Sequence, residues 1–292
     1  MDFKLPPLPN TLGEILQISS QEPSDKTTKR LVTIIQQDPA MAVYVLRQVN
    51  SAYYGVRRHV TQISKAVSLL GAKAVCNMVL TIALKKSFSY LENAAAQNVY
   101  EYLMKVSVAT AAYARDLAVH LRLLFSETAF SAGLLHQLGR LVLLYSVPKL
   151  YIPLWYQKNA STGKVDLAIP SLESERAHFN VNYPELGATI MQKWGLPGEF
   201  STIVGALHNP EDVPVAHLRI LTHAVAAGSA FAETLFDTDS STEHAFEEVD
   251  GYPEPLVELA NLRHSDVQEL ADFMTERKED IRHFAQTVVK DL

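Results

Sequence analysis

The stretch AGLLHQLGRLVL, residues 132–143, belongs to a segment that is almost wholly apolar from Leu134 to Tyr145. Ser126-Glu127 marks the start of a predicted helix here, and the helix must end before Pro148. A helix with so little polar face is normally the central one of a bundle, because each of its sides packs against a neighbour. The sequence therefore predicts one continuous central helix surrounded by others.

The segments on either side of this helix also repeat apolar residues at helical spacing. Val75, Met78, Val79, Ile82 and Ala83 follow the i, i+3, i+4, i+7, i+8 pattern of an amphipathic helix. We find no run that alternates convincingly between apolar and polar residues, as a half-buried strand does. The pattern predicts an all-α protein built as a two-lobed helical bundle.

Short polar motifs predict where several helices begin. Asp38-Pro39 combines an N-capping carboxylate with a proline at the first helical position. The segment Asn182-Tyr183-Pro184-Glu185 has the spacing of a capping box. Ser265 and Gln268 have the same spacing, and we expect them to open one last helix that presents Val288 inward.

Composition shifts suggest how the chain is divided. Residues 87–97 are polar and alanine-rich, which makes them the candidate boundary between an N-terminal helical lobe, 1–95, and a second helical lobe, 96–292. From about residue 252 the second lobe continues as a C-terminal helical extension. The segment 237–251 is acidic and rich in Ser and Thr, so we predict a mobile loop there.

Composition also narrows the class of protein. Hydrophobic residues make up 48% and charged residues 20%, which is the balance of a globular protein with a core. The net charge of −6 argues against general nucleic-acid binding. The single cysteine, Cys76, fits a reducing compartment, and neither a signal peptide nor a run of about 18 apolar residues is present. We therefore expect a cytoplasmic protein without a membrane span.

Four stretches, in this order and spacing, resemble the HDOD family. They are LPPLPNT at 5–11, QQDPAMAVYVLRQVNSAYYG at 36–55, AGLLHQLGRLVL at 132–143 and ERAHFNVNYPELGATIMQKWGLP at 175–197. The resemblance covers about residues 5–230. It implies a bacterial signal-transduction module whose C-terminal lobe is similar to the HD-domain phosphohydrolases. Those enzymes are named after an adjacent His-Asp pair that binds a metal ion.

The resemblance also implies where metal ligands would stand, and most of those positions are changed. His136 stands at the family's histidine, but Gln137 replaces the aspartate, and a carboxamide binds cations far more weakly than a carboxylate. The remaining implied positions hold Val106, Tyr183, Leu207-His208 and, late in the chain, Val225. We therefore expect no bound metal, no cofactor and no catalytic residues.

Two interpretations of each remaining candidate ligand stay open. His136 is either a hydrogen-bonded core histidine or a relic of the metal site, and His208 is either a helix-end residue or a ligand. Glu175 and His178 are three apart on a predicted helix, so they form either an exposed contact or part of a ligand set. The alternative function is a divergent metal-dependent HD-type phosphohydrolase that uses His136, His208 and Glu175.

The end of the second motif holds candidate binding residues. Asn50, Tyr53 and Tyr54 precede Gly55, and two tyrosines at a helix end either form a recognition surface or pack between the lobes. Arg57 and Arg58 follow in a short basic turn that could bind phosphate. A weaker alternative is therefore a cyclic-dinucleotide receptor that uses these arginines and tyrosines.

The interpretation that the residues favour is a non-catalytic regulatory module, with its function in the cleft between the lobes. Its expected partners are signalling proteins that act in trans: a kinase, a sensor or a cyclic-dinucleotide enzyme. The length of the chain leaves no room for an attached receiver or catalytic domain, which is the reason for expecting partners in trans. The sequence does not specify an oligomeric state.

Overall fold

The N-terminal lobe is a small cluster of helices with its own apolar core. The structure is a computed structural model that describes residues 3–6, 14–15, 18, 24–88, 93–158, 165–236 and 248–290. The helices of this lobe are α1 (Asp25–Gln37), α2 (Pro39–Val49), α3 (Ile63–Leu70) and α4 (Ala72–Phe88), with a short 3₁₀ helix at Ala52–Tyr54. Their inward residues, such as Leu31, Ile35 and Val45, are completely buried.

The second lobe is larger and is organised around one long helix. Its helices are α5 (Ala94–His120), α6 (Ser126–Leu135), α7 (Leu138–Ser146), α8 (Pro148–Tyr151), α9 (Leu172–Phe179), α10 (Tyr183–Lys193), α11 (Gly198–Gly205) and α12 (Ala216–Phe236). They are followed by α13 (Glu254–Arg263), α14 (Val267–Glu276) and α15 (Lys278–Lys290). Because α5 packs against α6, α12 and α15, it is the central helix of this lobe.

Short extended segments supplement the helices. Among the described residues, β1 (Tyr156–Lys158) pairs antiparallel with β2 (Val165–Leu167), and β3 (Glu248–Val249) with β4 (Tyr252–Pro253). The sequence did not predict these pairs, because runs of two or three residues are too short to show alternation. They do not change the fold class, and the predicted all-α, two-lobed bundle is confirmed.

The two apolar cores meet at one helix, α4. Its residues Val75, Val79 and Ile82 pack with the N-terminal lobe, whereas Leu84 and Phe88 belong to the core of the second lobe. Cys76 is buried among the former. The lobes therefore share a helix and do not rest on separate cores.

Several predicted helix starts are confirmed by hydrogen bonds. The Asp38 side chain accepts from the backbone N–H of Met41, and Pro39 is the first residue of α2. Asn182 caps α10 by accepting from the backbone N–H of Glu185. Each side chain satisfies a backbone donor that the first turn of a helix leaves without a partner.

Two predicted helices are each divided into two. The helix predicted to start at Ser126 and to be the central one is not central, since α5 takes that place. It also breaks at His136-Gln137, between α6 and α7, where the His136 imidazole bonds to the Gly133 carbonyl and competes with the helical backbone for it. The last helix is α14 and α15, with Arg277 between them. Its first cap is Asp266, not Ser265, because the Asp266 carboxylate accepts from two backbone N–H groups.

Other predictions fall partly outside the described residues. The candidate boundary at 87–97 includes residues 89–92, and the predicted loop at 237–251 includes residues 237–247, which are not described. In the described part, no single helix has the length and apolar composition needed to cross a membrane. The helices α3 and α4 meet that test only as a pair, across a bend of 119°.

Close backbone contact between α7 and α10 requires glycine. A Cβ atom added to Gly139 would lie 2.8 Å from the Tyr183 carbonyl carbon, which is too close for any real side chain. Gly187 faces the same contact from α10, since its added Cβ would lie 3.3 Å from the Gly139 nitrogen. The two glycines thus let α7 and α10 approach each other at the centre of the second lobe.

Replacing Gly139 by alanine is expected to lower the free energy of unfolding by about 1–3 kcal/mol, because the backbones of α7 and α10 must separate. Urea unfolding measures this. The control is Gly198→Ala, since nothing lies within 4 Å of an added Cβ there and its effect should stay within about 0.5 kcal/mol. Equal stabilities for the two variants would contradict the proposed contact.

Candidate functional site: a buried polar centre and an inter-lobe cavity

His136 lies at the junction of α6 and α7 and is completely buried. Its Nδ1–H donates to the Gly133 carbonyl over 2.6 Å, so Nε2 carries the lone pair. That lone pair faces Gln137 Nε2 at 2.9 Å and Ser229 Oγ at 3.1 Å, both of which can donate to it. Burial lowers the pKa of His136 to about 3, against the opposing effect of the Gly133 hydrogen bond. The ring is therefore neutral and fully hydrogen-bonded.

Arg140, one turn further along α7, provides the positive charge of this centre. The residue is 2% exposed, and its Nε donates to Glu175 Oε1 over 3.0 Å. Nη1 donates to Gln137 Oε1 at 3.2 Å, and Nη2 to the Pro170 carbonyl at 2.9 Å. The guanidinium also lies 4.0 Å from the centroid of the Tyr183 ring, a cation–π contact.

Glu175 is the buried counter-ion of Arg140, and it is completely inaccessible to solvent. Oε1 also accepts from the Tyr151 hydroxyl at 2.8 Å, and Oε2 accepts from the backbone N–H of Tyr183 at 2.8 Å. The interpretation of Glu175 and His178 as an exposed contact is wrong for Glu175, because Arg140 draws the carboxylate inward. His178 is exposed, and its Nδ1 bonds to the Ser174 carbonyl.

His208 lies at the edge of the same centre and is partly exposed. Its Nε2 shares a hydrogen bond of 2.8 Å with the Tyr183 hydroxyl. Burial raises the pKa of Tyr183, so the phenol stays protonated. Tyr183 thus joins His208 to Arg140 and Glu175 through its hydroxyl, its ring and its backbone N–H.

The residues of this centre do not fit a divalent cation. His136 Nε2 and both Glu175 oxygens already accept hydrogen bonds. Within the described ranges, no group of three or more His, Cys, Asp or Glu side chains is placed to hold a metal ion. Three further positions that the family resemblance implied hold Val106, Leu207 and Val225. These residues are buried, and their side chains have no atom that can bind a metal ion.

The loop after α2 is fixed by Asn50. Its Nδ2 donates to the carbonyls of Leu46 and Val60 at 2.7 and 2.8 Å, and its Oδ1 accepts from the Val60 backbone N–H at 2.7 Å. One side chain therefore closes both ends of the segment 51–59. With all of these bonds made, Asn50 positions the loop and its neighbours.

The two tyrosines of this loop pack between the lobes. The Tyr53 ring stacks on Phe284 of α15 with centroids 3.9 Å apart and an interplanar angle of 15°. The guanidinium of Arg115, on α5, lies 4.5 Å from the Tyr53 centroid and 5.4 Å from that of Tyr54. These contacts place the tyrosine rings between the lobes, as in the packing interpretation.

A series of charges within the second lobe lies beside this interface. Arg115 pairs with Asp116 at 3.2 Å, Asp116 with Arg277 at 3.0 Å, and Arg277 with Asp280 at 2.9 Å. Separately, Asn77 of α4 donates to the Glu127 carboxylate over 2.8 Å, and burial raises the pKa of Glu127. The contact between the lobes is therefore polar as well as aromatic.

A cavity of about 610 Å³ lies beside this interface, between α2 with its following loop and α15. It is lined by Leu46, Arg47, Gln48, Asn50, Ser51, Ala52, Tyr53, His59, Val60, Thr61, Asp280, His283, Phe284 and Thr287. Asn50 and Tyr53 are thus brought together at one cavity.

Tyr54, Arg57 and Arg58 are not among the residues that line this cavity. Arg57 and Arg58 are exposed on the loop. The sequence-based reasoning missed Gln48 and Arg140. Each is a polar residue on the buried side of an apolar helix, which is a signal that the sequence does contain.

Comparison with known proteins gives the same assignment as the motifs. The HDOD domain model matches residues 5–210. An uncharacterised protein of Treponema pallidum (strain Nichols) is 26% identical over 212 residues, which cover 72% of this chain and 39% of that protein. The chain thus spans about two fifths of the length of this relative.

Solved structures share the fold. A crystal structure of an HDOD domain protein from Geobacter sulfurreducens has a TM-score of 0.77 at 18% identity, covering 98% of this chain and 93% of that one. A candidate phosphohydrolase from Shewanella amazonensis SB2B has a TM-score of 0.67 at 20% identity, covering 97% and 95%. At these identities, the likeness shows the architecture alone.

Removing one partner of the central ion pair is expected to destabilise the fold strongly. Arg140→Met leaves the Glu175 carboxylate buried without its counter-ion, which should cost about 3–5 kcal/mol of unfolding free energy. The matched control is Arg176→Met, which breaks the exposed pair of Arg176 with Glu185 and should cost no more than about 1 kcal/mol. Urea unfolding of the two variants compares them directly, and similar losses would show that Arg140 is not a buried anchor.

The low pKa of His136 predicts a specific pH dependence. Between its ordinary pKa of 6.5 and about 3, the unfolded chain binds a proton at His136 and the folded chain does not. Stability from this residue is therefore complete above pH 6.5 and is lost as the pH falls, at about 1.4 kcal/mol per pH unit.

Urea unfolding between pH 6.5 and 5 should show this slope. The slope of the unfolding free energy against pH should be shallower in His136→Asn by about 1.4 kcal/mol per pH unit. It should be unchanged in His178→Asn, because His178 is exposed. Parallel profiles for the parent protein and His136→Asn would mean that His136 protonates equally in both states.

Proposed function

Because the chain belongs to the HDOD family, we propose that it is a non-catalytic signalling module that acts through protein or small-ligand contacts. The single observation that carries this proposal is the ion pair of Arg140 and Glu175 at the centre of the second lobe. A guanidinium with three hydrogen-bonded nitrogens supplies the positive charge there. A second cation beside it would be repelled, and bringing it into a buried centre would leave its charge uncompensated.

Hydrolysis by an HD-type enzyme would need such a cation. A bound divalent ion lowers the pKa of a water molecule towards neutrality and so supplies the nucleophile. His136, His208 and Glu175 would have to hold it, and each already shares hydrogen bonds within the polar centre. The Shewanella protein is named a candidate phosphohydrolase, but that name says nothing about the activity of this chain. For this chain, the side-chain geometry favours regulation over hydrolysis.

The contact between the lobes is the place where regulation would act. It joins α2 and its loop, α5 and α15 through the Tyr53–Phe284 stack and the Arg115 cation–π contacts. A ligand or protein that binds one arrangement of these elements better than another shifts the population towards it. The partners that we propose are signalling proteins: a kinase, a sensor or a cyclic-dinucleotide enzyme.

Metal analysis of the purified protein tests the proposal. After exposure to Mn²⁺, Fe²⁺ or Zn²⁺ and desalting, we expect well under one equivalent of any metal, with the same content in His136→Ala. The exposed-histidine variant His178→Ala controls for metal held at the surface. One equivalent of metal that is retained in His178→Ala and lost in His136→Ala would overturn the non-catalytic assignment.

A further inference from the structure

The cavity between the lobes has the dimensions of a small-molecule site. Its volume of about 610 Å³ falls within the range of roughly 300–1,000 Å³ that is usual for ligand pockets. One wall is α2 with its following loop, and the other is α15, which includes Phe284. Because α15 lies beyond residues 5–210, this wall is contributed by a part of the chain outside the matched domain.

Gln48 is the unusual residue of this cavity. Its side chain is 2% exposed and lines the cavity, yet neither Oε1 nor Nε2 has a hydrogen-bond partner among the described residues. A buried carboxamide without partners costs folding free energy, and most buried polar groups in proteins avoid this. A ligand that offers one donor and one acceptor side by side would satisfy both atoms at once.

Two hydroxyl groups add to this unsatisfied surface. Ser51 and Tyr53 line the same cavity, and their hydroxyl oxygens are buried and have no hydrogen-bond partner in the described part of the chain. Phe284 and Leu46 supply apolar walls around them. Together with Gln48, the cavity therefore presents an amide and two hydroxyls against apolar surface, the composition that suits a flat heterocycle with polar edges.

The lining of the cavity also carries basic side chains. Arg47, His59 and His283 line it and are exposed. Among the described residues of the lining, Asp280 is the one carboxylate, and it is hydrogen-bonded to Arg277. Arginine binds phosphate groups well because its planar fork of donors matches their oxygens. An anionic group on the ligand would therefore be held near Arg47.

We propose that this inter-lobe cavity binds a nucleotide, with the edge of the base on Gln48 and the phosphate beside Arg47. Glutamine pairs with a base through one donor and one acceptor, as it does with the N6 and N7 positions of adenine. A nucleotide seated there would touch the loop of the N-terminal lobe and α15 together. It would thereby bias the arrangement of the lobes, so the site rests on the regulatory role proposed above.

Isothermal titration calorimetry with AMP, GMP, UMP, CMP and cyclic di-GMP tests this on the full chain, with inorganic phosphate as a separate probe. We expect at least one nucleotide to bind with a dissociation constant below about 1 mM and inorganic phosphate to bind more weakly. Gln48→Leu should weaken that binding by about tenfold or more, since two hydrogen bonds are lost. The matched control is Gln36→Leu, because Gln36 is an exposed glutamine of α1.

A second pair of variants locates the phosphate. Arg47→Ala should weaken nucleotide binding several-fold, and the loss should shrink as salt is raised. Arg58→Ala should leave binding unchanged, because Arg58 does not line the cavity. If Arg58→Ala weakened binding and Arg47→Ala did not, the anion site would lie at the basic turn of Arg57 and Arg58. That result would overturn the assignment to this cavity.

Thermal unfolding separates binding from folding. Gln48→Leu removes two buried atoms that lack partners, so the free protein should melt at the same temperature as the parent or higher. A fall of more than about 4 °C would show that Gln48 is a structural residue and would overturn the proposal. Binding of no nucleotide up to about 1 mM, or equal binding of phosphate alone, would do the same. Because metal content is measured separately, these results do not depend on whether the chain is an enzyme.

Discussion

The buried ion pair between Arg140 and Glu175 is the interaction on which the second lobe depends. Arg140 belongs to α7 and Glu175 to α9, while Tyr151 of α8 and the first N–H of α10 bond to the same carboxylate. Bringing both charges out of water is unfavourable unless every donor and acceptor is used. Here all three kinds of guanidinium nitrogen and both carboxylate oxygens have partners. Four helices are thus held in one arrangement, which leaves no coordination position for a cation.

The contacts that join the two lobes are of a different kind. Helix α4 packs in both apolar cores, and the ammonium of Lys85 at its end bonds to the Val289 carbonyl of α15. Tyr53, on the loop of the N-terminal lobe, also stacks on Phe284 of α15 and contacts the guanidinium of Arg115 on α5. Of these side chains, Tyr53 and Arg115 are partly exposed, whereas Lys85 and Phe284 are buried. The lobes are therefore joined by an apolar helix, an aromatic stack and a few polar contacts, whereas the second lobe is held by a completely buried ion pair.

The sequence predicted local features better than long-range ones. The start of α2 at Pro39 was predictable because Asp38 acts on a backbone N–H only three residues away. The break at His136 was not, because it depends on the imidazole competing for a carbonyl inside an apolar run. The burial of Glu175 was not predictable either, since its partner lies 35 residues earlier in the chain. Helical periodicity indicates which face is buried, but not which residue from another helix will meet it.

Unsatisfied polar groups distinguish the two candidate sites. In the centre of the second lobe, the side chains of His136, Arg140 and Glu175 all have hydrogen-bond partners. In the inter-lobe cavity, Gln48 and the Tyr53 hydroxyl are buried without partners. Polar groups that reduce stability are typically retained where they serve recognition, because selection otherwise removes them. The buried polar groups without partners at the lobe interface, and not the satisfied charges of the second lobe, are therefore the basis for the recognition site proposed above.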